Sequence, residues 1–217
     1  MSFNLQEALK TALLETFYMV GISLVISVVF GGILGLFLYL TTSRMFFKNV
    51  IVNQIFSVVV SILRSIPFII LLVLLLPFTK VIVGTTIGAK SVVVPLTVTA
   101  IAFYARLAQA AFSEVDNGVL EAANACGAHP VKIILWILIP EAMTGLVNGI
   151  TVTAISLIGY SAMAGTVGGG GIGDLAIRYG YQRYETEVML VCVAILIVIV
   201  QLVQLTGDST AKKVNKR

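Results

Sequence analysis

The residues able to carry chemistry are few and scattered. The ten acids are Glu7, Glu15, Glu114, Asp116, Glu121, Glu141, Asp174, Glu185, Glu187 and Asp208, joined by one histidine, His129, and two cysteines, Cys126 and Cys192. A hydrolase needs a nucleophile beside a base, paired carboxylates or a set of metal ligands. Neither HExxH nor GxSxG occurs, no CxxC occurs, and His129 adjoins Pro130. An ion-coupled carrier places carboxylates inside its spans, yet all ten acids fall in predicted loops or at span ends. The stretch "VGGGGIGD" (167–174) invites a phosphate-loop reading. That loop needs a lysine and a hydroxyl after its last glycine; here Gly173 is followed by Asp174, whose charge repels phosphate. A tightly turned or flexible outer loop is the expectation instead.

The elements that position these residues are apolar. The chain has 217 residues, 59% hydrophobic and 11% charged, with mean hydropathy +1.05. That balance marks a single integral-membrane domain rather than a soluble one. No cleavable signal pattern is read at the N-terminus. The net charge of +4 is spread over loop edges and the C-terminus, a membrane-topology pattern rather than a nucleic-acid footprint. A spanning helix needs about 20 apolar residues, and five spans are predicted, at about 16–42, 56–78, 91–112, 141–165 and 188–206. The second contains Arg64 and the third Arg106, each expected to snorkel to the headgroups. With the C-terminus inside, the cytoplasmic side holds eight basic residues (Arg44, Lys48, Arg106, Lys132, Lys212, Lys213, Lys216, Arg217) and the outer side five (Lys10, Lys80, Lys90, Arg178, Arg183). This favours N-terminus out and C-terminus in.

Ahead of the first span, Leu5, Ala8, Leu9, Ala12 and Leu13 share a helical face, and Asn4 and Glu7 have capping-box spacing. A short interfacial helix is expected there. Ser27, Gly31 and Gly35 recur every four residues, as do Gly145 and Gly149, the spacing of close helix packing in membranes. The second stripe continues through Thr153, Ser156, Tyr160 and Met163. Periodicity leaves it open whether this is a packing seam or whether Ser156, Tyr160 and Met163 line a passage between subunits.

One segment fits none of the spans. In residues 117–140, Asp116 or Asn117 can cap a helix starting near Gly118, and Gly127 suits a left-handed helix stop. Pro130 suits the first turn of a second helix. From Val131 to Ile139 that helix is about 14 Å long, too short to cross a bilayer, and Pro140 is expected to separate it from the fourth span. Two short cytoplasmic helices with a tight bend result, and the small residues of the first could enter a groove on a partner. A hairpin touching only its own chain is the competing reading.

Glu121-Ala122-Ala123, Gly127, Ile137 and Ile139-Pro140 have the spacing of the EAA motif and so resemble ABC importer permeases; the family's leucine before the last proline is Ile139 here. "RSIPFIILL" (64–72), "AFYARLAQAAFSEVD" (102–116) and "GGGGIGDLAIRYGYQRY" (168–184) extend the resemblance to the permeases of bacterial methionine transporters. The resemblance implies an all-α, five-helix, type I ABC importer permease in the bacterial inner membrane. It implies a homodimer with two cytoplasmic ATPase subunits, which hold the ATP and Mg²⁺, and an external methionine-binding lipoprotein. The permease itself would hold no cofactor and catalyse nothing. The substrate implied is methionine, D and L; another amino acid or small solute is the alternative within the class, and a self-contained channel or carrier the alternative outside it. Glu121, Ala122, Ala123 and Gly127 carry over as the coupling core, with Asn117, Gly118, Leu120, Asn124, Ala125, Ala128 and His129 as expected contacts. Ser156, Tyr160 and Met163 are pathway candidates, and Asp174, Arg178, Arg183 and Glu185 are candidates for docking the outer lipoprotein.

Overall fold

The computed structural model describes residues 5–43 and 45–215. The predicted cap at Asn4 and the charges of Arg44, Lys216 and Arg217 lie outside the described residues. Every regular element among those described is helical, as apolar surroundings demand: a helix satisfies its backbone groups within its own segment.

Helix α1, Leu5–Thr42, is one uninterrupted rod, about 57 Å long at 1.5 Å per residue. The separate interfacial helix expected over its first turns is not observed, because no glycine, proline or cap interrupts "LQEALKTALL". Its buried face runs Met19, Ser23, Ser27, Gly31, Gly35, a row of i, i+4 positions. Helix α4, Ala89–Ser113, lies along that row. A Cβ on Gly31 would stand 2.9 Å from the Ile101 carbonyl oxygen, and one on Gly35 would stand 2.7 Å from the Ala108 methyl. Glycine at both positions lets the two backbones approach.

The second predicted span is not one helix. It is split into α2, Val50–Ser65, and α3, Phe68–Val83, bent by 108°. Ile66 precedes Pro67 and takes an extended conformation (φ −81°, ψ 125°), which a following proline ring favours over the helical one. The Pro67 carbonyl then starts α3 by accepting from Ile70 and Leu71. Single helices long and apolar enough to cross a membrane are α1, α4, the run Pro130–Val167 and Thr186–Val214, with the bent pair a possible fifth span.

The elements between α4 and the last helix are α5, Asn117–Ala125; α6, Pro130–Ile133; a π-helical turn, Ile134–Leu138; and α7, Ile139–Ala164. A 3₁₀ turn, Gly165–Val167, leads to α8, Gly171–Leu175, a second π turn, Ala176–Tyr181, and α9, Thr186–Val214. Pro140 does not separate a short helix from a span: Pro130–Val167 is continuous. The wide Ile134–Leu138 turn precedes Pro140, and a π turn relieves the clash and the missing N–H that a proline brings to an α-helix.

The molecule has two distinct ends. At one, the Gly88 N–H donates to the Gly168 carbonyl and the Gly171 N–H to Glu15, gathering the turns before α4 and after α7 on the first part of α1. At the other, Asn53 Nδ2 lies 2.8 Å from the Leu38 carbonyl oxygen and 2.9 Å from the Thr41 and Thr42 hydroxyls. That contact ties α2 to the last turn of α1. A cluster of Tyr39, Phe112, Val115, Leu120, Ile133 and Leu138 seats α5 and α6 at the same end.

Candidate functional site

The α5–α6 hairpin is built by local chemistry. Asp116 caps α5, its Oδ1 accepting from the Gly118 N–H at 2.8 Å. Beyond Ala125 the chain closes a double stop. The Gly127 N–H donates to the Asn124 carbonyl at 2.9 Å and the Ala128 N–H to the Ala123 carbonyl at 3.2 Å. Gly127 sits at φ +77°, the left-handed position this Schellman arrangement requires. His129 caps the next helix, its Nδ1 accepting from the Val131 N–H at 3.3 Å, and Pro130 occupies the first turn. The break is thus a specified, tight corner.

Burial sorts the predicted coupling residues. Leu120 is 1% exposed within the aromatic-lined cluster, so it anchors α5 to its own chain and is closed to a partner. Ala123 and Ala128 are half-buried against the same cluster. Asn117, Gly118, Glu121, Ala122, Asn124, Ala125, Gly127 and His129 are exposed. The outer face of the hairpin is therefore small, weakly polar and carries one carboxylate, Glu121. Where α5 leaves the bundle, a pocket of about 350 Å³ is lined by Tyr39, Thr42, Ser43, Met45, Ser113, Asn117 and Glu121.

At the opposite end the glycine-rich stretch is neither a phosphate loop nor loose. Residues 171–176 are all buried. The Glu15 carboxylate accepts from the Gly171 N–H at 2.7 Å and the Thr16 hydroxyl from the Ile172 N–H at 3.0 Å, satisfying donors at the start of α8 that would otherwise lack partners. A Cβ on Gly173 would run into the backbone of Ala162, and one on Gly171 would stand 2.7 Å from the Thr16 hydroxyl. These glycines are contact points between helices.

Asp174 is 4% exposed and forms an ion pair with Arg178, one turn on. It presents no charge to the outside in this conformation, whereas Arg178, Arg183 and Glu185 reach the surface. The Arg183 guanidinium lies over the Tyr179 ring, 4.5 Å from its centroid. On α7, Thr153 is buried and bonds back to the Gly149 carbonyl at 2.7 Å, while Gly145 and Gly149 meet Ala111 and Leu107 of α4. That half of the stripe is a packing seam. In its C-terminal half Ser156 is half-buried, Tyr160 stacks on Phe68 (centroids 4.9 Å apart, 18° between planes), and Met163 is exposed.

Arg106 is held by protein partners. It donates to Gln109 Oε1 at 2.9 Å, the Ser57 carbonyl at 3.1 Å and the Ser61 hydroxyl at 3.0 Å. It thereby ties α4 to α2, a helix with a single buried residue, Val60. Arg64 places its guanidinium 5.8 Å from the centroid of Phe103. Among the described residues no group of three His, Cys, Asp or Glu could hold a metal.

Residues 27–217 match the family described as binding-protein-dependent transport system inner membrane component. The chain is 46% identical over 211 residues to the probable D-methionine transport system permease protein MetI of Vibrio cholerae, covering 97% of this chain and 94% of that one. It is 46% identical over 180 residues to the methionine import system permease protein MetP of Bacillus subtilis, covering 83% and 81%. A solved structure described as an inward-facing conformation of the MetNI methionine ABC transporter matches at a TM-score of 0.94 with 42% identity over the whole of both chains. The chain belongs to the family of inner-membrane components of binding-protein-dependent transport systems.

Proposed function

We propose that the chain is the membrane-spanning subunit of an ATP-driven importer of methionine, D and L. The observation that carries this reading is the α5–α6 hairpin, with its exposed small face of Glu121, Ala122, Asn124, Ala125 and Gly127 held on Leu120. The names of the relatives in Vibrio cholerae and Bacillus subtilis supply the substrate. Counting the bent α2–α3 pair as one crossing gives five, with the N-terminus outside and the C-terminus and hairpin in the cytoplasm.

Two copies would form the permease, each hairpin received by one ATPase subunit. ATP and Mg²⁺ sit on those subunits, and the permease performs no bond chemistry. Drawing the ATPase subunits together moves the hairpins, and because Pro130–Val167 is one continuous helix, α7 moves with them. The bundle then turns outward to receive substrate from an external lipoprotein docked at Arg178, Arg183 and Glu185. Asp174 contributes by holding Arg178. Ser156, Tyr160 and Met163 line the route.

Uptake of radiolabelled methionine in cells lacking other methionine routes tests the substrate. Expression of the chain with its ATPase and lipoprotein should restore uptake, and both unlabelled enantiomers should compete. Restored uptake of a different amino acid that methionine fails to inhibit would reject methionine as the cargo.

A further inference from the structure

The stretch from Pro130 to Leu138 has two apolar faces, and only one is covered. Ile133 and Leu138 are buried in the cluster that seats the hairpin, and Ile134 and Ile137 pack against it. The outward face carries Val131, Leu135 and Trp136, which are 52%, 55% and 78% exposed, together with exposed Lys132. Val131 and Leu135, and Lys132 and Trp136, are i, i+4 pairs, so the four form one strip. Trp136 is the only tryptophan in the chain. A strip of this kind is ill suited to water, and it differs in character from the small, weakly polar face of α5 beside it.

We propose that this strip is a membrane-surface anchor whose occupant is the phospholipid headgroup layer of the chain's own membrane, with Lys132 on a lipid phosphate. Three observations point to lipid rather than protein. The strip lies at the base of Pro130–Val167, a continuous helix apolar enough to span, and so at the level where such a helix enters the headgroup layer. Tryptophan beside lysine is the pairing that membrane interfaces favour, the indole at headgroup depth and the ammonium reaching outward. The positive charge of Lys132 complements lipid phosphate. The anchor gives the hairpin a fixed point: force on α5 is borne against the bilayer at Trp136, which sits within the π turn that leads into α7.

The test is depth-resolved quenching of Trp136 in the complete transporter, reconstituted in nanodiscs with nitroxide lipids labelled at the headgroup or at the end of the acyl chain. Subtracting the emission of the Trp136→Phe complex isolates Trp136 from tryptophans of the other subunits. Headgroup-labelled lipid should remove most of this emission and chain-end label little of it. Labelled anionic lipid should quench more efficiently than labelled zwitterionic lipid, by up to about fivefold, and Lys132→Gln should abolish that preference. Should Trp136→Phe fail to assemble, the same measurement on Leu135→Trp against the native complex reads the same strip. Emission untouched by any labelled lipid, which places the strip under a protein subunit, overturns the proposal, as does strongest quenching from the chain end.

Discussion

Gly127 offers a perturbation whose size can be worked out in advance. At φ +77°, with nothing within 4 Å of where a Cβ would stand, alanine there meets no clash. The whole effect is backbone conformation. The left-handed region costs a residue with a Cβ about 1–2 kcal/mol, offset by about 0.4–1 kcal/mol because glycine leaves the unfolded chain freer. Gly127→Ala should therefore weaken the corner by about 1 kcal/mol, or about fivefold in its opening equilibrium. Gly127→Asn should weaken it less, since asparagine tolerates this region, and Gly127→Val more, since a β-branched residue there is an outlier. Hydrogen exchange of the Gly127 and Ala128 amides, which close the corner on Asn124 and Ala123, reads this directly. Exchange should accelerate in the order Gly, Asn, Ala, Val, and substrate moved per ATP hydrolysed should fall in the same order. If alanine exchanges as slowly as glycine, or asparagine proves worse than alanine, the corner is not held by its left-handed residue and the reasoning fails.

Two further outcomes follow from the same geometry. Gly173→Ala drives a methyl into the backbone of Ala162 and should lower stability by about 1–3 kcal/mol. Gly21→Ala has no neighbour within 4 Å and should be neutral or gain up to about 1 kcal/mol from helix propensity; equal melting shifts in detergent would contradict the distinction. A double-mutant cycle on Arg106→Gln and Ser61→Ala should give a coupling of about 0.5–1.5 kcal/mol, whereas strict additivity in thermal unfolding would show that the contact does not hold α2.

The hairpin was legible in the sequence because its punctuation is local: Asp116, Gly127 and Pro130 each dictate a backbone state without tertiary help. The small-residue row at Ser27, Gly31 and Gly35 was legible for the same reason, since periodicity alone marks a close contact. Proline was harder to read. Pro67 breaks a span that composition joins, and Pro140 leaves intact a helix that composition divides. The difference lies in the turn each proline falls on, and that turn depends on packing. Asp174 reads as a loop charge until Arg178, four residues on, is seen as its partner; the i, i+4 spacing was the available signal. Leu120 is invisible as an anchor without the cluster to which α1 brings Tyr39 and the end of α4 brings Phe112. The α2 partners of Arg106, Ser57 and Ser61, depend on the register of α2 against α4, which no local pattern encodes.

On the proposed function, force enters this chain at the exposed face of α5, and the chain moves nothing uphill by itself. Methionine accumulation in proteoliposomes, with and without the ATPase subunits and ATP, tests it most directly. Accumulation above the outside concentration should require both, and should be lost in a Glu121 or Gly127 variant whose spans remain folded. Full-rate movement by the purified chain alone would show that it needs no ATPase partner and overturn the proposed function.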